Sequence, residues 1–417
     1  MMQGSDFKHN ETGGRPAGRL HPRRGHRRLE AGLTRARIYL DHNAGAPLRP
    51  EARAAMIEAL GSAGNASSVH AEGRAARGRI ETARRQVAAL VGGSADRVVF
   101  TGGGTEANVT VLSPRQRVGA GMLDLDALLV GATEHPSVMA GGRFAPEAVQ
   151  TIAVDREGVV RLDDLETKLA ALAGEGRRAL VSVMLANNET GVLQPVAEIV
   201  TIARRFGALV HSDATQAAGR IPVDIAALGV DFLTLSAHKL GGPQGVGAIV
   251  LGGDLVSPVP LMTGGGQEKN ARAGTQNVAG IAGFGAAAEA ATRDLGRAVE
   301  WQGWRDGLAA LPGAVLVGAP ADRLPQTAAL ALEGARAETL VIAFDLEGIA
   351  ISAGSACSSG KVQVSHVMKA MGLGDALAAS VIRVSFGWET GRDDIDRFGE
   401  AWGRIAQRLV PGATRAA

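Results

Sequence analysis

Lys239 stands where a lysine could do covalent chemistry. It lies within Asp231-Phe-Leu-Thr-Leu-Ser-Ala-His-Lys-Leu-Gly-Gly-Pro243. The apolar run Phe232–Leu235 reads as a strand, and the turn at its end presents the amine after His238. A lysine in a partly dry pocket loses its proton readily and can condense with an aldehyde. Asp213, 26 residues earlier, closes another apolar run, Ala208-Leu-Val-His-Ser-Asp. That interval fits one crossover between neighbouring parallel strands. A pyridine-type ring between the two would find its nitrogen opposite a carboxylate and its aldehyde beside an amine. The carboxylate would keep the nitrogen protonated, so the ring draws electrons from an attached Cα. Taken singly, Asp213 also reads as a loop cap and Lys239 as a surface charge.

Three further stretches carry candidate groups. Gly102-Gly-Gly-Thr105 opens a helix and suits a phosphate cradle of backbone N–H groups and a hydroxyl. It is neither a Walker loop nor a dinucleotide fingerprint, and a plain tight turn is the alternative. His135, between a strand and a proline, could stack on a ring, relay a proton, or serve only structure. Cys357 sits among small residues, Ser352-Ala-Gly-Ser-Ala-Cys-Ser-Ser-Gly360, which reads as an exposed loop thiol rather than core.

The elements that must position these groups alternate. Helices are predicted over 50–61 and 71–91, and strands over 97–101, 128–132, 179–185, 208–213, 232–235 and 246–251. A helix over 196–206 and a long one over 277–297 are also predicted. Beyond them come strands over 327–332 and 380–386 and helices over 338–346 and 392–408. Such alternation predicts an α/β fold with a mostly parallel central sheet and the polar groups past the strands' C-terminal ends. Residues 1–36 lack apolar periodicity and read as a disordered basic tail. A large domain is expected over 37–295, its opening stretch packed with a smaller α+β domain over 296–417.

Composition narrows the class. The net charge of +2 is +6 over residues 1–37 and −4 over the rest, so the folded part offers no basic nucleic-acid surface. No apolar run is long enough to span a bilayer, and the basic N-terminus has no signal-peptide core. The single cysteine agrees with a reducing cytoplasm, and no metal-ligand spacing is present.

Taken in order, several stretches resemble one family: Tyr39-Leu-Asp-His-Asn-Ala, Phe100-Thr-Gly-Gly-Gly-Thr-Glu-Ala-Asn, Thr133-Glu-His-Pro, Asn187-Asn-Glu-Thr-Gly, His211-Ser-Asp-Ala-Thr-Gln, Ser236-Ala-His-Lys, Arg272-Ala-Gly-Thr and Gly354-Ser-Ala-Cys-Ser-Ser. They are similar to the cysteine desulfurases of the class-V aminotransferases, pyridoxal 5'-phosphate enzymes of fold type I, over residues 38 to 409. The resemblance implies that Lys239 holds the cofactor and moves the Cα proton. Asp213 would pair with the ring nitrogen, Gln216 with the phenolic oxygen, and His135 would stack on the ring as an acid/base. Gly104, Thr105, Ser236 and His238 would hold the phosphate. Thr275 would reach the other subunit's phosphate in a homodimer. Asn188 and Arg383 would hold the carboxylate of L-cysteine, and Cys357 would take its sulfur, releasing L-alanine. The cysteine loop and Ser365-His-Val-Met-Lys-Ala-Met-Gly resemble the branch supplying sulfur to an iron–sulfur scaffold or to tRNA thiolation. Selenocysteine lyase, another lyase or an aminotransferase is the alternative enzyme, and a non-catalytic or nucleic-acid-binding scaffold the alternative class. His42, Gly45, Ala46, Val109 and Ala186 depart from the usual pattern.

Overall fold

Short, wholly apolar runs that end in polar residues build the centre of the molecule. The computed structural model describes residues 37–354 and 364–411, so the expected tail and Cys357 lie outside the described residues. Seven strands form the main sheet: β1 (Val98–Thr101), β2 (Ala127–Gly131), β3 (Val149–Ile152), β4 (Ala179–Ser182), β5 (Leu209–Asp213), β6 (Phe232–Ser236) and β7 (Gly247–Leu251). Their order is β1-β7-β6-β5-β4-β2-β3. All contacts are parallel except those of β7, antiparallel to both β1 and β6. β2, β4, β5 and β6 are buried at every position, as expected of strands covered on both faces. Two hydrophobic clusters cover the faces. Ile80, Val87, Leu233 and Phe284 belong to one, and Val111, Leu128, Phe232 and Ile249 to the other.

The expected elements fall within a few residues of their predicted bounds. Helices span Pro50–Leu60, Ala71–Leu90, Val196–Arg205, Val278–Asp294, Ala337–Leu346 and Arg392–Leu409. A second sheet of four antiparallel strands takes β8 (Ala314–Leu316), β9 (Thr327–Leu332), β10 (Ser352–Ala353) and β11 (Val381–Ser385) in the order β8-β9-β11-β10. It has its own apolar cluster, in which Phe344 stacks on Phe398 at 4.6 Å. The opening stretch joins this part of the chain. Ile38–Tyr39 pairs in parallel with Ile349–Ala350, and Asp41 bridges to Ser385. Among the described residues no helix is long and apolar enough to cross a membrane.

Candidate active site

Parallel pairing of β5 with β6 brings Asp213 opposite Thr234, so both strands deliver their last residues to the same end of the sheet. After Ser236 a single 3-10 turn, Ala237–Lys239, carries the amine into a cavity of about 370 Å³. Lys239 Nζ donates to the carbonyls of Asn43 and Ala44 at 2.6 and 2.8 Å. Lys239, Asp213, His135, Gln216, Asn188 and Arg383 share this cavity with Gly104, Thr105, Ser236 and His238. Ten of the twelve residues anticipated from sequence therefore meet in one place. Thr275 lies outside the lining and is exposed.

Asp213 is held from behind. Its Oδ1 accepts from the Thr215 N–H at 2.9 Å and its Oδ2 from Asn108 Nδ2 at 2.8 Å. Asn108 Oδ1 accepts the Thr234 hydroxyl proton at 2.6 Å. That hydroxyl lies 3.0 Å from His211 Nε2, and His211 Nδ1 lies 2.8 Å from Ser182 Oγ. Because the Thr234 hydroxyl donates to Asn108, it accepts from His211 Nε2–H, which leaves His211 Nδ1 to accept from Ser182. Burial pushes the His211 imidazole down to about 4, against the pull of Asp213, so it is neutral. None of this chain was read from the sequence. Asn108, His211 and Thr234 look like ordinary element residues, and only the fold aligns them.

The glycine turn and the lysine strand build one end of the cavity. A Cβ on Gly104 would lie 3.2 Å from Ser236 Cβ and 3.6 Å from both Ser236 Oγ and Thr215 Oγ1. Ser236 Oγ lies 2.8 Å from His238 Nδ1. His238 is pushed down to about 4 by burial first, then by Lys239, Arg220 and His135. Thr215 Oγ1 is buried without a partner in the protein. A bare glycine at a helix N-terminus and two hydroxyls, one of them an orphaned donor, suit a phosphate group. Thr215 was missed although it stands between Asp213 and Gln216, within a stretch already singled out.

Two guanidiniums stand beside these groups. Arg383, 2% exposed on β11, donates from Nη1 to the Asn188 carbonyl at 2.9 Å and from Nη2 to Asp41 at 2.7 Å. Its Nε is buried with no partner in the protein. A second guanidinium, Arg220, binds Asn43 Oδ1 and Gln216 Oε1, each at 2.6 Å, and the Lys239 carbonyl at 3.2 Å. Burial, then Arg383 and Arg49, holds Arg220 down at about 9. It fixes Gln216 and the lysine turn together, and sequence reading passed it over. His135 caps the turn Pro136–Met139. Its Nδ1 accepts from the Ser137 N–H at 3.2 Å, so in the neutral ring the proton is on Nε2. Burial pushes its pKa down.

The site fits pyridoxal phosphate on these observations, with an amine, a supported carboxylate and a phosphate-ready turn in one cavity. Fold and cavity define a class, an α/β chain of pyridoxal-phosphate fold type I. The family model described as aminotransferase class-V matches residues 38–398, and the chain belongs to that family. A cysteine desulfurase of Cereibacter sphaeroides is 41% identical over 384 residues, covering 89% of this chain and 96% of the relative. The cysteine desulfurase IscS of Dictyoglomus turgidum is 36% identical over 383 residues, covering 89% and 95%. The X-ray structure of a NifS-like protein from Rickettsia africae superposes with a TM-score of 0.77 at 35% identity, over 88% of this chain and 99% of that one.

Proposed function

We propose that the chain is a pyridoxal-phosphate-dependent cysteine desulfurase, in which L-cysteine and the Cys357 thiol give L-alanine and a persulfide on Cys357. The observation that carries this reading is the meeting of Lys239, Asp213 and the Gly104 turn in one cavity. The names of the relatives support it. When bound, the cofactor supplies a protonated ring that makes the substrate Cα–H acidic.

The chain's residues then have these tasks. Gly104, Thr105, Ser236 and His238, with Thr215, hold the phosphate. Asp213, kept in place by Asn108, would hold the ring-nitrogen proton, and Gln216 would pair with the phenolic oxygen. His135 would stack on the ring and relay a proton. Arg383 and Asn188 take the substrate carboxylate, with Arg383 Nε as the donor not already engaged. Lys239 Nζ faces the cavity and moves the Cα proton. The Cys357 sulfur forms an S–S bond as the substrate Cβ–S bond breaks. That bond's electrons pass to the substrate carbon, which takes a proton and leaves as alanine.

Four finer statements belong to the same reading. The protein is a homodimer in which exposed Thr275 reaches the partner's phosphate. The persulfide passes to an iron–sulfur scaffold or a tRNA-thiolation acceptor. The protein works in the cytoplasm. The chain divides near residue 296 into a large and a small domain, a division supported by the separate apolar cluster around the second sheet. The test is a visible spectrum of the purified protein before and after L-cysteine, with alanine assayed in wild type and Cys357→Ala. A band that shifts, and alanine made only with Cys357 present, are expected. Alanine formation independent of Cys357 would replace the desulfurase reading with a lyase.

A further inference from the structure

Glu189 follows Asn188 in the loop after β4 and is 5% exposed. Its carboxylate lies near both places where the described chain borders the Cys357 stretch. On one side, Ser365 Oγ donates to Oε2 at 2.6 Å. The same hydroxyl caps the helix His366–Ala370, accepting from the Val367 N–H at 3.0 Å. On the other side a Cβ on Gly354 would lie only 3.3 Å from Oε2, close enough that the carboxylate would have to shift to admit it. Gly354 is itself tied to β11 by its N–H to the Val381 carbonyl at 3.2 Å. The third neighbour is Arg383, whose positive charge acts on Glu189 and whose Nη1 binds the adjacent Asn188 carbonyl.

We propose that Glu189 is a positioning residue for sulfur transfer, a single carboxylate that fixes Gly354 and Ser365 relative to the substrate-facing Asn188 and Arg383. This rests on the reading that Cys357 takes the sulfur. The geometry accounts for three features together. Gly354 has no side chain where one would press on the carboxylate. Ser365 spends its hydroxyl proton on Glu189 while its lone pair caps a helix. Glu189 is buried next to Asn188, which lines the cavity, without lining it itself. A group that only filled space would need no charge here, and burial of that charge is costly. Burial pushes the carboxyl up to about 7 although Ser365 and Arg383 pull it down. The groups acting on it are Arg383, itself paired with Asp41, and the Ser365 hydroxyl, while Gly354, just past β10, brings no charge.

The single cysteine of the chain makes the test direct, because any alkylated thiol is Cys357. Holoenzyme of wild type, Glu189→Ala and Glu189→Gln is compared in three measurements: alanine formed from L-cysteine, spectral titration with unreactive L-alanine, and the rate of Cys357 alkylation by iodoacetamide. Misplacing a reacting group by about 1 Å costs up to roughly 100-fold, so Glu189→Ala is expected to slow alanine formation at least ~10-fold. Its L-alanine affinity is expected to stay within about 3-fold, while the alkylation rate changes by more than about 3-fold. Glu189→Gln, which still accepts from Ser365, recovers most of the loss. Wild-type alanine formation in a folded Glu189→Ala overturns the proposal, as does an unchanged alkylation rate. A parallel fall in L-alanine affinity also overturns it, by placing Glu189 among the substrate-binding groups. If Glu189→Ala does not fold, Ser365→Ala carries the same three measurements. Wild type that makes no alanine fails the proposed function instead, and the alkylation rates still report on Glu189.

Discussion

Asn108 is the residue on which the orientation of Asp213 turns. It donates to Asp213 Oδ2 and accepts from Thr234, so its amide is fixed at both ends. In Asn108→Ala the Asp213 oxygen and the Thr234 hydroxyl lose partners while staying buried. Each lost partner costs about 1–3 kcal/mol, so denaturant titration should show a loss of roughly 2–6 kcal/mol. Alanine formation should fall about 10-fold or more, because a carboxylate free to rotate holds the ring-nitrogen proton poorly. Thr215→Val should act differently. It removes an orphaned hydroxyl, leaves the folded protein close to wild-type stability, and weakens phosphate retention, read as cofactor lost on dialysis. Near-wild-type activity in Asn108→Ala would show that Asp213 keeps its place without help.

Among the elements, the turn before Thr275 stores strain. Glu268, Lys269 and Asn270 have φ of 45°, 54° and 65°, the left-handed region that costs a non-glycine residue about 1–2 kcal/mol. The Glu268 carboxylate holds the turn, accepting from Arg84 Nη1 and Nη2 at 2.6 and 3.0 Å and from the Phe100 N–H at 2.9 Å. Phe100 lies in β1 just before the glycine turn, so one ion pair fastens the Thr275 loop to the strand that leads into the Gly104 turn. Glu268→Gln leaves Arg84 buried with only the half-exposed Glu81 as counter-charge. A loss of about 3 kcal/mol is expected, since breaking a buried pair costs 3–5. Arg84→Met combined with Glu268→Leu should lose less than the two single changes added together. Additive losses would show that the pair is not coupled.

β2, β4, β5 and β6 were legible because a strand buried on both faces is a continuous apolar run closed by a polar residue. The lysine and Asp213 were legible because such runs end at the ligand side of the sheet. The antiparallel trio Arg115–Val118, Gly121–Asp124 and Val256–Pro258 was not, because Arg-Gln-Arg-Val is half exposed and carries no apolar signal. The helix Leu162–Gly174 does carry one, with Leu165, Leu169 and Leu172 at helical spacing, and a strand-centred reading passes over it. Arg220, Asn108 and Glu189 gain their parts only from long-range neighbours, which no local spacing announces.

For the molecule as a whole, stability against pH sums opposing titrations that substitutions can separate. His42 is pushed down to about 3 by burial, then by Arg220 and Arg49, and His211 to about 4 by burial. Unfolded, each takes a proton near 6.5, so in acid the unfolded state binds more protons than the folded one. Their contribution is therefore complete above that value and is lost as pH falls through it, by about 2 kcal/mol each at pH 5. Glu189 works the other way. Its folded value of about 7 lies above the ordinary carboxyl range, so between pH 4.5 and 7 the folded state holds the extra proton. Its contribution is present in acid and is lost as pH rises towards 7. The wild-type curve from pH 7 to 5 is thus flatter than either group alone would give. Guanidinium titrations at pH 5, 6 and 7 should show Glu189→Gln losing stability in acid more steeply than wild type, by up to about 1.4 kcal/mol per pH unit. His42→Phe should lose it less steeply by a similar amount. Equal slopes for wild type and Glu189→Gln would mean that Glu189 titrates no higher in the fold than in the open chain. The balance bears on the proposed role because the same carboxylate accepts from Ser365 and feels the charge of Arg383. A protein kept stable near neutral pH by uncharged histidines can then carry a buried acid at its site.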